Sequence, residues 1–342
     1  MIRSLEFFQC RRCRDLNNLR INIYDEENVH LVLTGPNGSG KSSVLDAITA
    51  ALDQSYGEGD RIVLKDDSFE LEVHLAEPHP RDSYGICFLA RQGRRMMPSP
   101  SDGFKPQLSA DPVHLTGQNA AEFEQYLLNV KAAAAFGKQE PGKSVVVSSI
   151  EEWFVLLEIN LRELLLKPEL KLEFSIDDFR FRVNSDSNSP RVLFSDLASG
   201  HAAALSLFAE ILIRARSRGQ MEDPSQLTGI VLVDEIETHL HIAMQERILP
   251  FLTKTFPNLQ FIVATHSPAV IASIDNAVVF DLEKREPVNS AELQGLRYGA
   301  LMTHHFGIES DYDLDTTICR PPLFAVKCFN EWMSRRIVSR SE

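Results

Sequence analysis

Eight residues, Gly35-Pro36-Asn37-Gly38-Ser39-Gly40-Lys41-Ser42, come directly after the apolar run Val29–Leu33 and precede a helical pattern over Ser43–Leu52. The spacing is G-x-x-x-x-G-K-[ST], the phosphate-cradling loop, in the strand–loop–helix setting that gives the pattern its meaning. The glycines let the backbone turn several N–H groups toward a β-phosphate. Lys41 reaches the β- and γ-phosphates, and the Ser42 hydroxyl completes the shell of a Mg²⁺ ion. The helix N-terminus at Ser43 adds partial positive charge at the same spot. A glycine-rich turn of no chemical consequence would need neither the strand before it nor the helix after it. The spacing therefore predicts a nucleoside triphosphate held by Gly35 through Ser43.

A second group of reactive side chains lies two hundred residues on. Gly229-Ile-Val-Leu-Val runs into Asp234-Glu235, an aliphatic strand that carries two acids at its C-terminal tip. Ligands of doubly wound sheets bind at such tips. Asp234 is placed to hold Mg²⁺, directly or through water, and Glu235 to polarise an attacking water. The next buried strand, Leu259–Ala264, ends in Thr265-His266-Ser267-Pro268. A lone histidine usually packs or faces solvent, but His266 at a strand tip can reach a γ-phosphate or the attacking water. Between the two groups, Phe194-Ser195-Asp196-Leu197-Ala198-Ser199-Gly200-His201 is a turn of mostly small residues that feeds an apolar helix over Ala202–Arg216. A turn that feeds a helix N-terminus is geometrically a second anion-binding site.

With these motifs in order, the chain resembles the ABC-type ATPases of the SMC-like and overcoming-lysogenization-defect kind. Gly35–Ser42 matches Walker A, Leu197–His201 the signature, Ile230–Glu235 Walker B, Glu237–His241 the D-loop region, and Thr265–Pro268 the switch histidine. Three stretches sharpen the likeness: Phe123–Phe136, Asp234–His241 and Ile248–Pro268. They are similar to the ATPases of Septu and retron-associated antiphage systems. The resemblance implies ATP and Mg²⁺ as cofactors, with Ser42 and Asp234 on the metal and Glu235 and His266 catalytic. It also implies a head-to-tail homodimer or higher oligomer, in which the P-loop of one chain faces Ser199-Gly200 of the other. A partner nuclease of the HNH class and a role in antiviral defence come from the same likeness. Contact with nucleic acid is left open. Two departures stand out: Ala198 occupies the signature serine's position, which implies slow turnover, and Gln92 is the candidate for the Q-loop glutamine.

The expected fold is α/β, a P-loop NTPase of ABC-ATPase type with a mostly parallel core sheet, an antiparallel β edge and an inserted helical subdomain. The expected divisions are an N-terminal lobe, 1–92; a helical insert, 93–168; a C-terminal lobe, 169–283; and an extension, 284–342, suited to partner docking. Residues 2–8 and 16–24 alternate as half-exposed strands. Runs at 61–65, 68–75 and 84–90 read as further antiparallel strands on the same edge. Helices are expected over Ala120–Lys138 and Ser149–Leu166, the latter with Ser149 as N-cap. A hairpin joins Leu170–Ile176 to Phe179–Asn184, and a helix from Leu240 to Phe256 bends or ends at Pro250.

Composition narrows the class. The 342 residues are 44% hydrophobic and 24% charged, as in ordinary globular proteins. A formal net charge of −13 argues against a duplex-wrapping surface, although Arg11, Arg12 and Arg14, the pair Arg94-Arg95, and the pair Arg335-Arg336 are local clusters. Five cysteines make no disulfide scaffold, and Cys10-x-x-Cys13 lacks a second half for zinc, so reduced thiols in a cytoplasmic protein are expected. No stretch reads as a membrane span or a signal peptide. A DNA-repair ATPase of the SMC kind would need long heptad arms that 93–168 cannot supply. A transporter ATPase subunit fits the helical insert poorly, and a small-molecule kinase would need neither the signature turn nor His266.

Overall fold

The computed structural model describes residues 1–10, 16–23, 29–55, 61–65, 69–75, 86–91, 120–137, 144–184, 190–217 and 227–288. Gln92, the arginine clusters, Cys13 and the tail beyond Val288 fall outside them.

Three sheets organise these residues. The first is antiparallel, in the order β2 (Leu19–Asn22), β1 (Ile2–Cys10), β5 (Phe69–Leu75), β4 (Arg61–Lys65). The second has six strands and carries the chemistry. Its order is β13 (Glu286–Val288), β12 (Ala277–Asp281), β3 (His30–Thr34), β11 (Leu259–Ala264), β10 (Gly229–Asp234), β6 (Ile86–Arg91). All its pairings are parallel except β12 with β13. The third is a small sheet of β7 (Lys171–Ser175), β8 (Arg180–Asn184) and the two-residue β9 (Val192–Leu193).

The core sheet is thus mostly parallel with an antiparallel edge strand, β13, and the strands at 2–10, 19–22, 61–65 and 69–75 form a separate antiparallel sheet. The expectation for 84–90 is corrected. β6 lies parallel to β10, with Ile86 opposite Gly229 and Arg91 opposite Asp234. Its run Ile-Cys-Phe-Leu-Ala has no polar alternation, which is the pattern of a parallel strand covered on both faces.

Helix α1 (Lys41–Ser55) packs against both large sheets, touching β4 and β5 on one side and β6, β10 and β11 on the other. That double contact is why Val44, Leu45, Ala47, Ile48, Ala51 and Leu52 are all buried, a wider apolar arc than a surface helix shows. Each of the larger side chains contributes about 1.5–3 kcal/mol by leaving water. Ile2, Leu5, Phe7, Leu71 and Val73 complete this core from the antiparallel sheet.

A second core joins α2 (Ala120–Gly137), α3 (Ser144–Leu164), the β7–β8 hairpin and α4 (Ser199–Ser217). Phe123, Tyr126, Leu127 and Val130 of α2 meet Trp153, Leu157 and Leu161 of α3, and all are buried. Phe123 stands edge-on to Phe194 with centroids 5.5 Å apart, and Phe154 stacks on Phe181 at 5.9 Å. Glu124, fully buried, pairs with Arg180 at 3.3 Å and accepts from the Phe181 N–H at 3.1 Å, tying α2 to β8. Helix α3 begins at Ser144, five residues before the expected cap at Ser149. The valine run Val145–Val147 costs only tenths of a kcal/mol per residue in helix, which the packing of the later turns offsets. Helix α5 (Ile242–Thr255) continues through Pro250 instead of ending there. No described helix is long and apolar enough to cross a membrane.

Candidate functional site

The parallel register decides which loops meet. Leu33 of β3 lies opposite Ala264 of β11, which lies opposite Asp234 of β10. The three strands therefore end in one row, and their exit loops, Gly35–Gly40, Thr265–Ser267 and Glu235–Leu240, crowd one end of the sheet. On the far side of β3, Asp281 ends β12 opposite Thr34.

The cradle leaves β3 at Gly35, whose φ of 132° is open to glycine alone. A Cβ there would also come within 3.0 Å of the Ser39 hydroxyl. Gly38 and Gly40 are likewise at positive φ, and α1 starts at Lys41, with the Val44 N–H bonded to the Gly40 carbonyl at 2.9 Å. Pro36, Asn37 and Gly38 form the exposed crest of the loop, while Ser39 and Ser43 are half-buried at its base. The buried Ser39 hydroxyl has no hydrogen-bond partner among the described residues, an orphan polar atom inside the loop itself. Lys41 folds back over the cradle, donating from Nζ to the Gly35 carbonyl at 2.7 Å and the Pro36 carbonyl at 3.0 Å. Burial pushes its pKa below the ordinary lysine value, while Glu237, Asp234, Glu235 and Asp281 pull the other way.

Ser42 Oγ donates to Asp234 Oδ1 at 3.1 Å across 192 residues of sequence. Two hard oxygen donors converge there, the type of pair that holds Mg²⁺ together with phosphate oxygens. Glu235 comes next, exposed and at φ 53°, in the left-handed region that non-glycine residues rarely occupy. Its turn is closed by the Thr238 N–H on the Glu235 carbonyl at 3.0 Å and the Leu240 N–H on the Glu237 carbonyl at 2.9 Å. His266 is exposed, with Nδ1 2.8 Å from Glu237 Oε1.

The structure thus gathers the cradle, both acids and His266 at one sheet end. Ser199 and Gly200 lie on α4, whose main packing partners are α2, α3, α5 and β6, and reach this end of the sheet only where Gly200 abuts the His239 backbone. They belong to the first turn of that helix instead of to a turn before it. The Ala202 N–H bonds to the Ala198 carbonyl at 2.9 Å, so the helix opens three residues earlier than the apolar run from Ala202 predicts. Ala198 and Ser199 are exposed, whereas Gly200 faces inward, its added Cβ meeting the His239 carbonyl at 3.0 Å. His201 is held below the usual histidine pKa by burial and by Lys167.

Two acids carry more here than their sequence positions revealed. Asp281 accepts from the Glu283 and Lys284 N–H groups at 2.9 and 3.1 Å, capping the β12–β13 turn that flanks Gly35. Glu237, within the D-loop stretch, is buried and bonded to the tip of β11. Only its spacing from Asp234 hinted at a special place, since an acid three residues past a strand end normally faces water.

A family model described as "P-loop containing region of AAA domain" matches residues 16–56. One described as "AAA domain, putative AbiEii toxin, Type IV TA system" matches residues 113–272. The P-loop stretch and the segment that carries the acid pair and the histidine are thus similar to AAA-domain sequences. The chain is 41% identical over 99 residues to a retron Ec83 probable ATPase from Escherichia coli, covering 29% of this chain and 18% of that protein. It is 24% identical over 333 residues to the Septu protein PtuA of Bacillus mycoides, covering 89% of this chain and 45% of that one. The chain thus spans less than half the length of either relative. Among solved structures, the SMC head domain from Thermotoga maritima matches with a TM-score of 0.41 and 14% identity, over 82% of this chain and 94% of that chain.

Proposed function

We propose that this chain is an ATPase that binds ATP with Mg²⁺ and pairs head-to-tail with a second copy around the nucleotide. In that form it governs an effector nuclease, of the HNH class, in cytoplasmic antiphage defence. The names of its retron and Septu relatives support the biological setting. The observation that carries the chemistry is the Ser42–Asp234 contact at 3.1 Å, because it joins the helix after the cradle to the acid-bearing strand. Mg²⁺ held there would draw charge from the phosphate oxygens. The chain's own groups do the rest. Lys41, released from the two loop carbonyls, turns to the phosphates, and Glu235 accepts a proton from the attacking water. His266 presents its second ring nitrogen to the same place. Residues 1–92 and 169–283 supply the two ATPase lobes, 93–168 the helical insert, and 284–342 the docking extension.

The head-to-tail arrangement is supported by exposure. Ala198 and Ser199 present the α4 N-terminus to solvent, where a second copy's γ-phosphate would meet its N–H groups. Glu235→Gln removes the base and keeps the fold. Its expected outcome is unchanged ATP affinity, a turnover lower by about 10²–10⁴-fold, and a dimer that persists in ATP on sedimentation. Wild-type turnover in this variant would reassign the base. A monomer in saturating ATP would remove the paired site.

A further inference from the structure

We propose that Glu237 is a positioning residue that fixes the ring of His266 and joins it to the turn bearing Glu235. The inference rests on the proposed function, in which His266 works on the bound nucleotide, and adds the group that aims it.

Glu237 is 6% exposed, and three donors from two successive residues converge on its carboxylate. The Thr265 hydroxyl donates to Oε2 at 2.7 Å. The His266 N–H donates to Oε1 at 2.9 Å, and His266 Nδ1 lies 2.8 Å from the same oxygen. A buried carboxylate is costly unless its lone pairs are satisfied. Here the satisfaction comes from the tip of β11, with both backbone and side chain of His266 engaged. Capping the strand tip alone would need only Thr265 and the backbone N–H. The ring contact is additional, and it falls on an imidazole whose side chain is 56% exposed and otherwise free to change rotamer.

The chemical consequence lies in the two ring nitrogens. A carboxylate only accepts, so Nδ1 carries the proton and Nε2 is the nitrogen left for the nucleotide side. Neutral, His266 offers Nε2 as an acceptor to the attacking water. Protonated, it offers an N–H to the γ-phosphate, with the charge compensated by Glu237. The same turn sets the base: Thr238 Oγ1 donates to Glu235 Oε2 at 3.3 Å, and the Leu240 N–H closes on the Glu237 carbonyl. One six-residue turn therefore holds Glu235 through Thr238 and His266 through Glu237. A shift of the turn moves both together.

The test uses the full chain and two independent readouts. The first is the imidazole nitrogen spectrum of wild-type protein, with the His266 signal identified by its loss in His266→Ala. It should show the Nδ1–H form, and Glu237→Gln should lose that preference. A His266 signal in the Nε2–H form in wild type overturns the proposal without reference to any variant's folding. The second is a kinetic cycle. Glu237→Gln should lower kcat for ATP hydrolysis by about 10- to 100-fold with KM unchanged. In the His266→Ala background it should lower kcat no further. An equal loss in both backgrounds means Glu237 acts on something other than His266 and overturns the proposal. Failure of the wider functional reading is separate: it would appear as wild-type hydrolysis in Glu235→Gln, with the ring-nitrogen result still decided by the spectrum.

Discussion

Lys41 and His30 are both drawn out of water, and their neighbours decide whether each keeps a charge. Lys41 is surrounded by Asp234, Glu235, Glu237 and Asp281, whose charges oppose the downward push of burial and keep a cation beside the cradle. For His30, 3% exposed at the start of β3, burial is the cause of the shift and takes its pKa down to about 4. Its neutral ring is structural. Nδ1 accepts the Phe261 N–H at 3.1 Å, standing in for a sheet carbonyl, and the ring tilts against Phe261. The unfolded chain binds this proton with an ordinary pKa of 6.5, so between pH 6.5 and 4 the unfolded state holds more protons than the folded one. Stability therefore falls as pH drops through that window, by about 2 kcal/mol at pH 5 relative to neutral. Asn at position 30 keeps an acceptor and cannot titrate. Urea unfolding at pH 7.5 and pH 5 should show the gap between wild type and His30→Asn shift by that amount in favour of the variant at pH 5. An unchanged gap would mean His30 titrates normally.

At the scale of the element, α4 shows how one helix start serves two surfaces. Its first residue, Ser199, faces solvent, and its second, Gly200, is pressed against the backbone at His239. Any side chain at 200 must push on the turn that carries Glu237, so a large residue there would disturb the nucleotide side of the same chain. Ser199 is the cleaner probe of the paired site. Ser199→Arg should leave nucleotide binding to the single chain unchanged and abolish ATP-dependent dimer formation, read by sedimentation of the Glu235→Gln background. A surviving dimer would place the contact elsewhere. The apolar run in α4 was legible as a helix, but its start was not. Ala198-Ser199-Gly200 has the composition of a turn, and only packing against the 239–241 segment draws Ser199 and Gly200 into the helix.

Across the whole molecule, one side chain bridges the two large sheets. Gln260 in the central strand β11 is fully buried. Its Nε2 donates to the Ile2 carbonyl at 2.9 Å and the Val29 carbonyl at 2.8 Å, while its Oε1 accepts the Ile2 N–H at 2.6 Å. The antiparallel sheet is thereby pinned at its first residues to the strand beside the cradle. Gln260→Leu preserves bulk but strands three backbone groups in a dry place, and should cost about 3 kcal/mol in denaturant unfolding. A loss under about 0.5 kcal/mol, the range of a neutral surface change, would show that water replaces the clamp.

Sequence alone determined the parts whose chemistry is contiguous. The cradle, the acid pair after an aliphatic strand and the histidine tip are each written in a handful of neighbouring residues, and strand and helix periods mark the elements that carry them. Tertiary structure decided what depends on register between distant segments. The runs at 61–65, 69–75 and 86–91 all read as strands, but which strand each one pairs with is not written locally: β4 and β5 join the antiparallel sheet while β6 pairs parallel with β10. Glu237, Gln260 and His30 read as ordinary polar residues until the sheet brings Thr265, Ile2 and Phe261 to them. A buried polar side chain takes its meaning from partners that the fold supplies, and those partners lie 28, 258 and 231 residues away.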